Sequence, residues 1–288
     1  MIFKKLYWLV AAAVLSAAGC TNIGSSIANF PSYFSDLERK ADIAYGSEES
    51  QKLDIYQSAK ASAKKPVVIF IHGGRWSSGD KGQYRFVAAR LAKAGYITVI
   101  PDYRKYPQVK FPEIMDDPAQ AVAWVIKNIE NYNGDKTRIY LMGHSAGAHM
   151  AALLVSDEHY LKKYGASAHD IAAFVGLAGP YAFTPEEADL KDMFGPPDKY
   201  PQMQVPTFIT GHEPPMLLLE GESDDSVKLY NLTRLADAIN KHNGRVIAKT
   251  YPGLGHIGII ARFARKDDPE TPVVKDCLDF FAQYHNSN

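Results

Sequence analysis

Arg138-Ile139-Tyr140-Leu141-Met142-Gly143-His144-Ser145-Ala146-Gly147-Ala148-His149 is the stretch on which the reading of this chain turns. Arg138 to Gly143 reads as a buried strand and Ala146 to Ser156 as a helix. Between them stands G-x-S-x-G, the sharp strand-to-helix turn that lifts a serine hydroxyl above a sheet edge. Side chains at the two glycines would collide with neighbouring backbone in so tight a turn. Working outward, Lys52 to Gln57, Val67 to His72, Tyr96 to Pro101, Ile171 to Ala178, Met216 to Glu220 and Arg245 to Tyr251 read as further strands. Gly82 to Ala94, Pro112 to Ile129, Val227 to Asn243 and Thr271 to Tyr284 carry helical spacing. Strands that alternate with helices call for a mostly parallel sheet with helices on both faces, because parallel strands need crossover connections. Continuous apolar runs such as Val67-Val68-Ile69-Phe70-Ile71 suit strands buried on both faces.

The rhythm breaks between Pro180 and Pro215, a stretch rich in Pro and aromatic residues without sustained period. It reads either as a lid over the site or as an ordinary surface excursion. The N-terminus differs in kind. Lys4 and Lys5 precede an apolar run from Leu6 to Ala18, which is shorter than the roughly 20 residues a membrane-crossing helix needs. Ala17-Ala18-Gly19-Cys20 resembles a bacterial lipobox, although Leu is commoner where Ala17 stands. Residues 1–19 are therefore expected to be a lipoprotein signal peptide, Cys20 the lipidated residue and 20–40 a tether, with the catalytic domain over 41–288. Thr21 after the cysteine resembles the sorting pattern of outer-membrane lipoproteins in diderm bacteria. The expected location is thus outside the cytoplasm, on a membrane reached through the lipid anchor. The only other cysteine is Cys277, read as a buried small hydrophobe, so an acylated Cys20 leaves no disulfide to form.

Of 288 residues, 46% are hydrophobic and 22% charged, and 32 Lys plus Arg balance 32 Asp plus Glu. That balance gives no global field for nucleic acid or acidic polymer, and a small, weakly charged substrate fits it better. Neither H-E-x-x-H nor a C-x-x-C pair occurs, so no metal and no cofactor are expected.

A serine hydroxyl is a poor nucleophile until a base takes its proton and a third group fixes the tautomer of that base. In this fold the chain order is Ser, acid, His. His256 stands in Gly253-Leu254-Gly255-His256-Ile257-Gly258, a glycine-rich loop after the last strand, and is the expected base. His212 is its best rival, and His149, one helical turn beyond Ser145, reads as a packing residue. Glu222, Asp224 and Asp225 compete for the acid in Gly221-Glu222-Ser223-Asp224-Asp225-Ser226-Val227. Asp224 is favoured because Asp225 and Ser226 adjoin a helix start, where capping is a sufficient role. Upstream, Ile71-His72-Gly73-Gly74-Arg75-Trp76 matches a loop that supplies backbone amides to a tetrahedral oxyanion. The amides of Gly74, Arg75 and Ala146 are the expected donors. His72 and the Asp102-Tyr103-Arg104 run read as structural, Asp80 and Lys81 as a helix start, and Trp76 as packing or acyl-pocket lining.

Together these segments resemble the α/β-hydrolase carboxylesterases related to hormone-sensitive lipase, over about residues 40 to 285. The H-G-G-x-W form is similar to the branch of kynurenine formamidases and bacterial feruloyl-esterase-like enzymes. The resemblance implies an α/β-hydrolase fold and supports Asp224, which precedes Val227 as the family's aspartate precedes x-x-V. Arg75 departs from the H-G-G-G esterases and is expected to reshape the pocket. The activity implied is hydrolysis of short-chain or aryl esters through an acyl-serine. Aryl formamide or amide hydrolysis is the alternative, and a non-catalytic binding protein on the same scaffold is a third reading.

Overall fold

Val67, Ile69 and Ile71 of β3 (Lys65–Ile71) pack into one apolar layer, and Val68 and Phe70 into the layer on the opposite face of the sheet. Residues of β5 (Gly134–His144) and β7 (Met216–Gly221) divide in the same way. Burial on both faces is what turns these strands into uninterrupted apolar runs, since alternate side chains leave the sheet in opposite directions. The computed structural model describes residues 21–284 apart from 31, 33–35, 60–62 and 267.

The remaining strands are β1 (Leu37–Ala44), β2 (Lys52–Ser58), β4 (Ile97–Pro101), β6 (Ala173–Leu177) and β8 (Val246–Tyr251). All eight form one sheet in the order β1-β2-β4-β3-β5-β6-β7-β8. β1 and β2 pair antiparallel, as do β2 and β4, and every other pairing is parallel. α2 (Arg85–Lys93) and α9 (Val273–Phe281) cover one face; α3 (Asp116–Asn128), α4 (Ala146–Ser156) and α7 (Tyr230–Lys241) cover the other. This is the expected α/β-hydrolase architecture. All eleven residues of α4 are buried, which makes it the central helix and fixes the residue before it. Because the strands from β3 to β7 run parallel, their C-terminal ends share one edge, where ligands bind in open α/β sheets.

Three segments differ from the sequence reading. Residues 1–19 and Cys20 lie outside the described residues, but 21–40 are not simply a tether. α1 (Thr21–Asn29) packs on the domain, and β1 starts at Leu37 and forms the sheet edge. The Asn29 side chain accepts from the Phe86 amide at 2.9 Å and donates to the Gly82 carbonyl at 2.8 Å, which ties this segment to the start of α2. The helix expected from Val227 begins at Tyr230. Within 180–215 the chain forms α6 (Ala188–Phe194) and 3-10 turns at Pro197–Met203 and Val205–Phe208. Among the described residues no helix is long and apolar enough to cross a membrane.

Candidate active site

Ser145 joins the last residue of β5 to the first of α4 with φ 56° and ψ −126°. A left-handed φ in a non-glycine residue costs about 1–3 kcal/mol and persists only where its surroundings impose it. Here they do. The Ser145 amide donates to the Leu177 carbonyl on β6 at 2.9 Å. A Cβ on Gly147 would lie 2.1 Å from the Ile71 carbonyl oxygen, and one on Gly143 2.4 Å from that of Gly147. The two glycines therefore let α4 sit directly against β3 and β5. Although Ser145 precedes the helix, its side chain makes no capping bond, which leaves the hydroxyl free to face outward.

His256 meets it there. Its Nε2 lies 2.8 Å from Ser145 Oγ and its Nδ1 2.7 Å from Asp224 Oδ2. With Nδ1–H donating to the carboxylate, Nε2 keeps its lone pair and accepts from the serine hydroxyl. Asp224 uses its other oxygen, Oδ1, to accept from the amides of Ser226 and Val227, at 2.8 Å each. Its carboxyl is largely buried, which would raise its pKa. The hydrogen bonds from His256 and the Val227 amide overcome this and hold it at about 2. The loop carrying the acid and the loop carrying the base are bonded to each other: the Ser223 amide donates to the Leu254 carbonyl at 2.9 Å. A Cβ on Gly221 would meet that same carbonyl oxygen at 2.2 Å, so the close approach needs glycine.

The competing candidates fall elsewhere. Asp225 points into solvent, 4.0 Å from Lys228, and Glu222 accepts from Thr250 Oγ1 at 2.8 Å. The amide capping assigned to Asp225 and Ser226 is done by Asp224 itself. His212 lines an open surface cavity of about 530 Å³ with His169 and Arg245, just before β7 and away from the edge that carries Ser145. His149 is fully buried in α4 and donates from Nε2 to the Met203 carbonyl at 2.8 Å; burial lowers its pKa to about 4.

The loop after β3 runs alongside the serine: a Cβ on Gly73 would touch Ser145 Cβ at 3.2 Å and the His144 carbonyl oxygen at 3.0 Å. Gly74, Arg75 and Trp76 follow with φ of 129°, 53° and 58°. Among the described residues the amides of Gly74, Arg75 and Ala146 donate to no protein acceptor. The Arg75 guanidinium does not enter the site. It bonds Asp189 at 2.8 Å and Glu187, both in the 180–215 segment, and so ties that segment to the loop. His72 is fixed by Asp102 at 3.2 Å and stacks on Tyr103, the structural role expected of it. Trp76 stacks on Phe183 with ring centroids 5.4 Å apart and meets His149 and Phe194 edge-on. These four rings form one aromatic cluster that includes the last residue of the loop at 72–76.

His144 is a residue whose part the sequence reading did not recognise. Its Nε2–H donates to the His256 backbone carbonyl at 3.1 Å, so the residue before the serine holds the loop of the base. Burial, with the His256 ring beside it, lowers its pKa to about 3 and keeps it neutral. The only signal was its place inside the motif, which is compatible with any side chain.

Chemically, a hydroxyl with an imidazole at its proton, a carboxylate behind the imidazole and unpaired amides nearby can perform acyl transfer. The sequence model of the BD-FAE family matches residues 53–239. The isoprenylcysteine alpha-carbonyl methylesterase of Arabidopsis thaliana is 30% identical over 251 residues, covering 78% of this chain. The match spans 58% of the length of that plant protein. A kynurenine formamidase from Danio rerio is 34% identical over 117 residues, 41% of this chain and 39% of that protein. Among solved structures, a truncated carbohydrate esterase from gut microbiota superposes with a TM-score of 0.76 at 21% identity, over 85% of this chain and 95% of that one. With the hydrolase fold in place and most of the sheet inside the matched region, the chain belongs to the BD-FAE family.

Proposed function

We propose that this chain is a serine hydrolase of carboxylic esters. Ser145 is the nucleophile, His256 the base, Asp224 the orienting carboxylate, and the amides of Gly74, Arg75 and Ala146 the oxyanion donors. The observation that carries the reading is the unbroken hydrogen-bond chain from Ser145 through His256 to Asp224. Nε2 takes the hydroxyl proton as Oγ attacks the acyl carbon, and the amides receive the negative oxygen. The imidazolium then returns the proton to the departing alkoxide, leaving an acyl-Ser145 and free alcohol. Water, deprotonated by the same nitrogen, releases the acid and restores the serine.

Short acyl or flat aryl esters are the substrates proposed, with the ring cluster of Trp76, Phe183, Phe194 and His149, which includes the last residue of the loop at 72–76, as the candidate acyl-side lining. Ser145→Ala is expected to abolish hydrolysis of p-nitrophenyl acetate and labelling by a fluorophosphonate; persistence of both overturns the reading. A formamide substrate is the second reading, favoured by the H-G-G-x-W form at 72–76 and by the similarity to a formamidase. Specificity constants for an aryl formamide and an aryl acetate decide between them. Export and lipid anchoring at Cys20 belong to the proposal on the sequence grounds of the N-terminus alone.

A further inference from the structure

Glu220 is the penultimate residue of β7, four residues before Asp224, and is 1% exposed. Among the described residues no cationic or hydroxyl side chain donates to either of its carboxyl oxygens, and its polar neighbours are the Asp224 carboxylate and the Gly221 amide. Two ionisable groups face it. One is the Asp224 carboxylate; the other is Tyr181, whose buried hydroxyl packs over Gly176 and is unpartnered among the described residues. On β8 its register partner is Thr250, which carries no charge. A carboxylate enclosed in this way, with an anion beside it and no cation, is strongly disfavoured. Burial first, then the hydrogen bond to Asp224 and the Asp224 charge, push its pKa up to about 9, and only the Gly221 amide acts against them, with no lysine, arginine or histidine. At neutral pH the two carboxyl groups thus carry one negative charge between them, and it sits on the member bonded to His256.

We propose that Glu220 is a positioning residue of this site, an uncharged carboxylic acid directed at Asp224 that keeps the Asp224 carboxylate alone in its charge and aimed at His256 Nδ1. The proposal rests on the catalytic reading of Ser145, His256 and Asp224. When hydroxide removes the Glu220 proton as water, two anions lie side by side. Asp224 is then pushed from Nδ1, and the tautomer that leaves Nε2 free to accept is no longer enforced. Catalysis therefore has an alkaline limit that originates behind the base, where no substrate reaches.

The test is Glu220→Gln, which keeps the shape and can still donate to Asp224 but cannot ionise. For wild type, kcat for p-nitrophenyl acetate, corrected for spontaneous hydrolysis, is expected to fall along a one-proton limb centred near pH 9. In the variant that limb is lost, so the ratio of kcat at about pH 10 to kcat at about pH 7.5 rises roughly ten-fold, with KM unchanged. An unaltered limb overturns the proposal. A second measurement is independent of the variant. A raised folded pKa contributes stability that is fully present below the unfolded carboxyl pKa and is lost as pH rises toward 9. Wild-type urea midpoints should therefore decline over that range, and a flat profile also overturns the proposal. Fluorophosphonate labelling of wild type separates the two levels. Labelling with an unaltered limb rejects Glu220 alone, whereas no labelling rejects the serine reading and the proposal with it.

Discussion

Asp224 has both oxygens committed in different directions, and Asp224→Asn exploits this. Oδ2 receives the His256 Nδ1–H at 2.7 Å and Oδ1 receives two backbone amides at 2.8 Å. An asparagine offers one acceptor oxygen and one donor nitrogen, so it satisfies only one side. If its oxygen stays on the amides, its NH₂ faces Nδ1 and forces the proton onto Nε2, which then cannot accept from Ser145. Enforcing the wrong tautomer is expected to lower kcat by about 10³–10⁴ with little change in KM. If the amide turns over, two capping bonds are replaced by donors facing donors, each costing about 1 kcal/mol. The stability loss follows from linkage. The Asp224 pKa is held at about 2 in the folded chain against 3.8 for the free group, a difference worth about 2 kcal/mol at neutral pH. Because the folded pKa is depressed, this stability is present above the unfolded pKa and is lost as pH falls through about 2. Removing the anion beside Glu220 returns part of it. Steady-state kinetics with p-nitrophenyl acetate and urea unfolding at neutral and strongly acidic pH measure both effects. A variant whose kcat stays within about ten-fold of wild type refutes the assignment of Asp224.

Gly147→Ala places a methyl group 2.1 Å from the Ile71 carbonyl oxygen, so α4 must move away from β3 by about 1 Å. The expected result is a loss of about 1–3 kcal/mol in urea unfolding and a fall in kcat of about 10², because Ser145 shifts relative to the loop at 73–75. A variant matching wild type in both shows that the approach of α4 is not under steric control. Under the proposed lipid anchoring, Cys20→Ala is expected to move the protein from the membrane to the soluble fraction, and unchanged partitioning argues against a lipid anchor there.

The parallel core and the three members of the hydrogen-bonded chain were readable because each depends on local pattern. Val67 to Ile71 and Met216 to Leu219 are apolar without interruption, and the loops at 143–147 and 253–258 carry glycines, of which Gly143, Gly147 and Gly255 stand where backbone approaches backbone. What escaped depends on partners distant in sequence. Thr21–Asn29 contains Gly, Ser and Asn, residues of low helix propensity, and is helical where Asn29 bonds the start of α2. β1 is charged and mostly exposed, so edge pairing with β2 leaves no alternating trace. The start of α7 was placed too early because the amides of Ser226 and Val227 are taken by Asp224 rather than by a helix cap. Arg75 and Glu220 escaped for a related reason: a guanidinium held by Glu187 and Asp189, and a carboxyl sealed behind Asp224, are defined by the fold around them.

The most direct measurement is acid-quenched reaction of the wild-type chain with p-nitrophenyl acetate, followed by peptide mass analysis. The account predicts an acetyl group on the peptide containing Ser145, formed with a burst of p-nitrophenol. Turnover that proceeds without that adduct, or with the acetyl group on another residue, contradicts it.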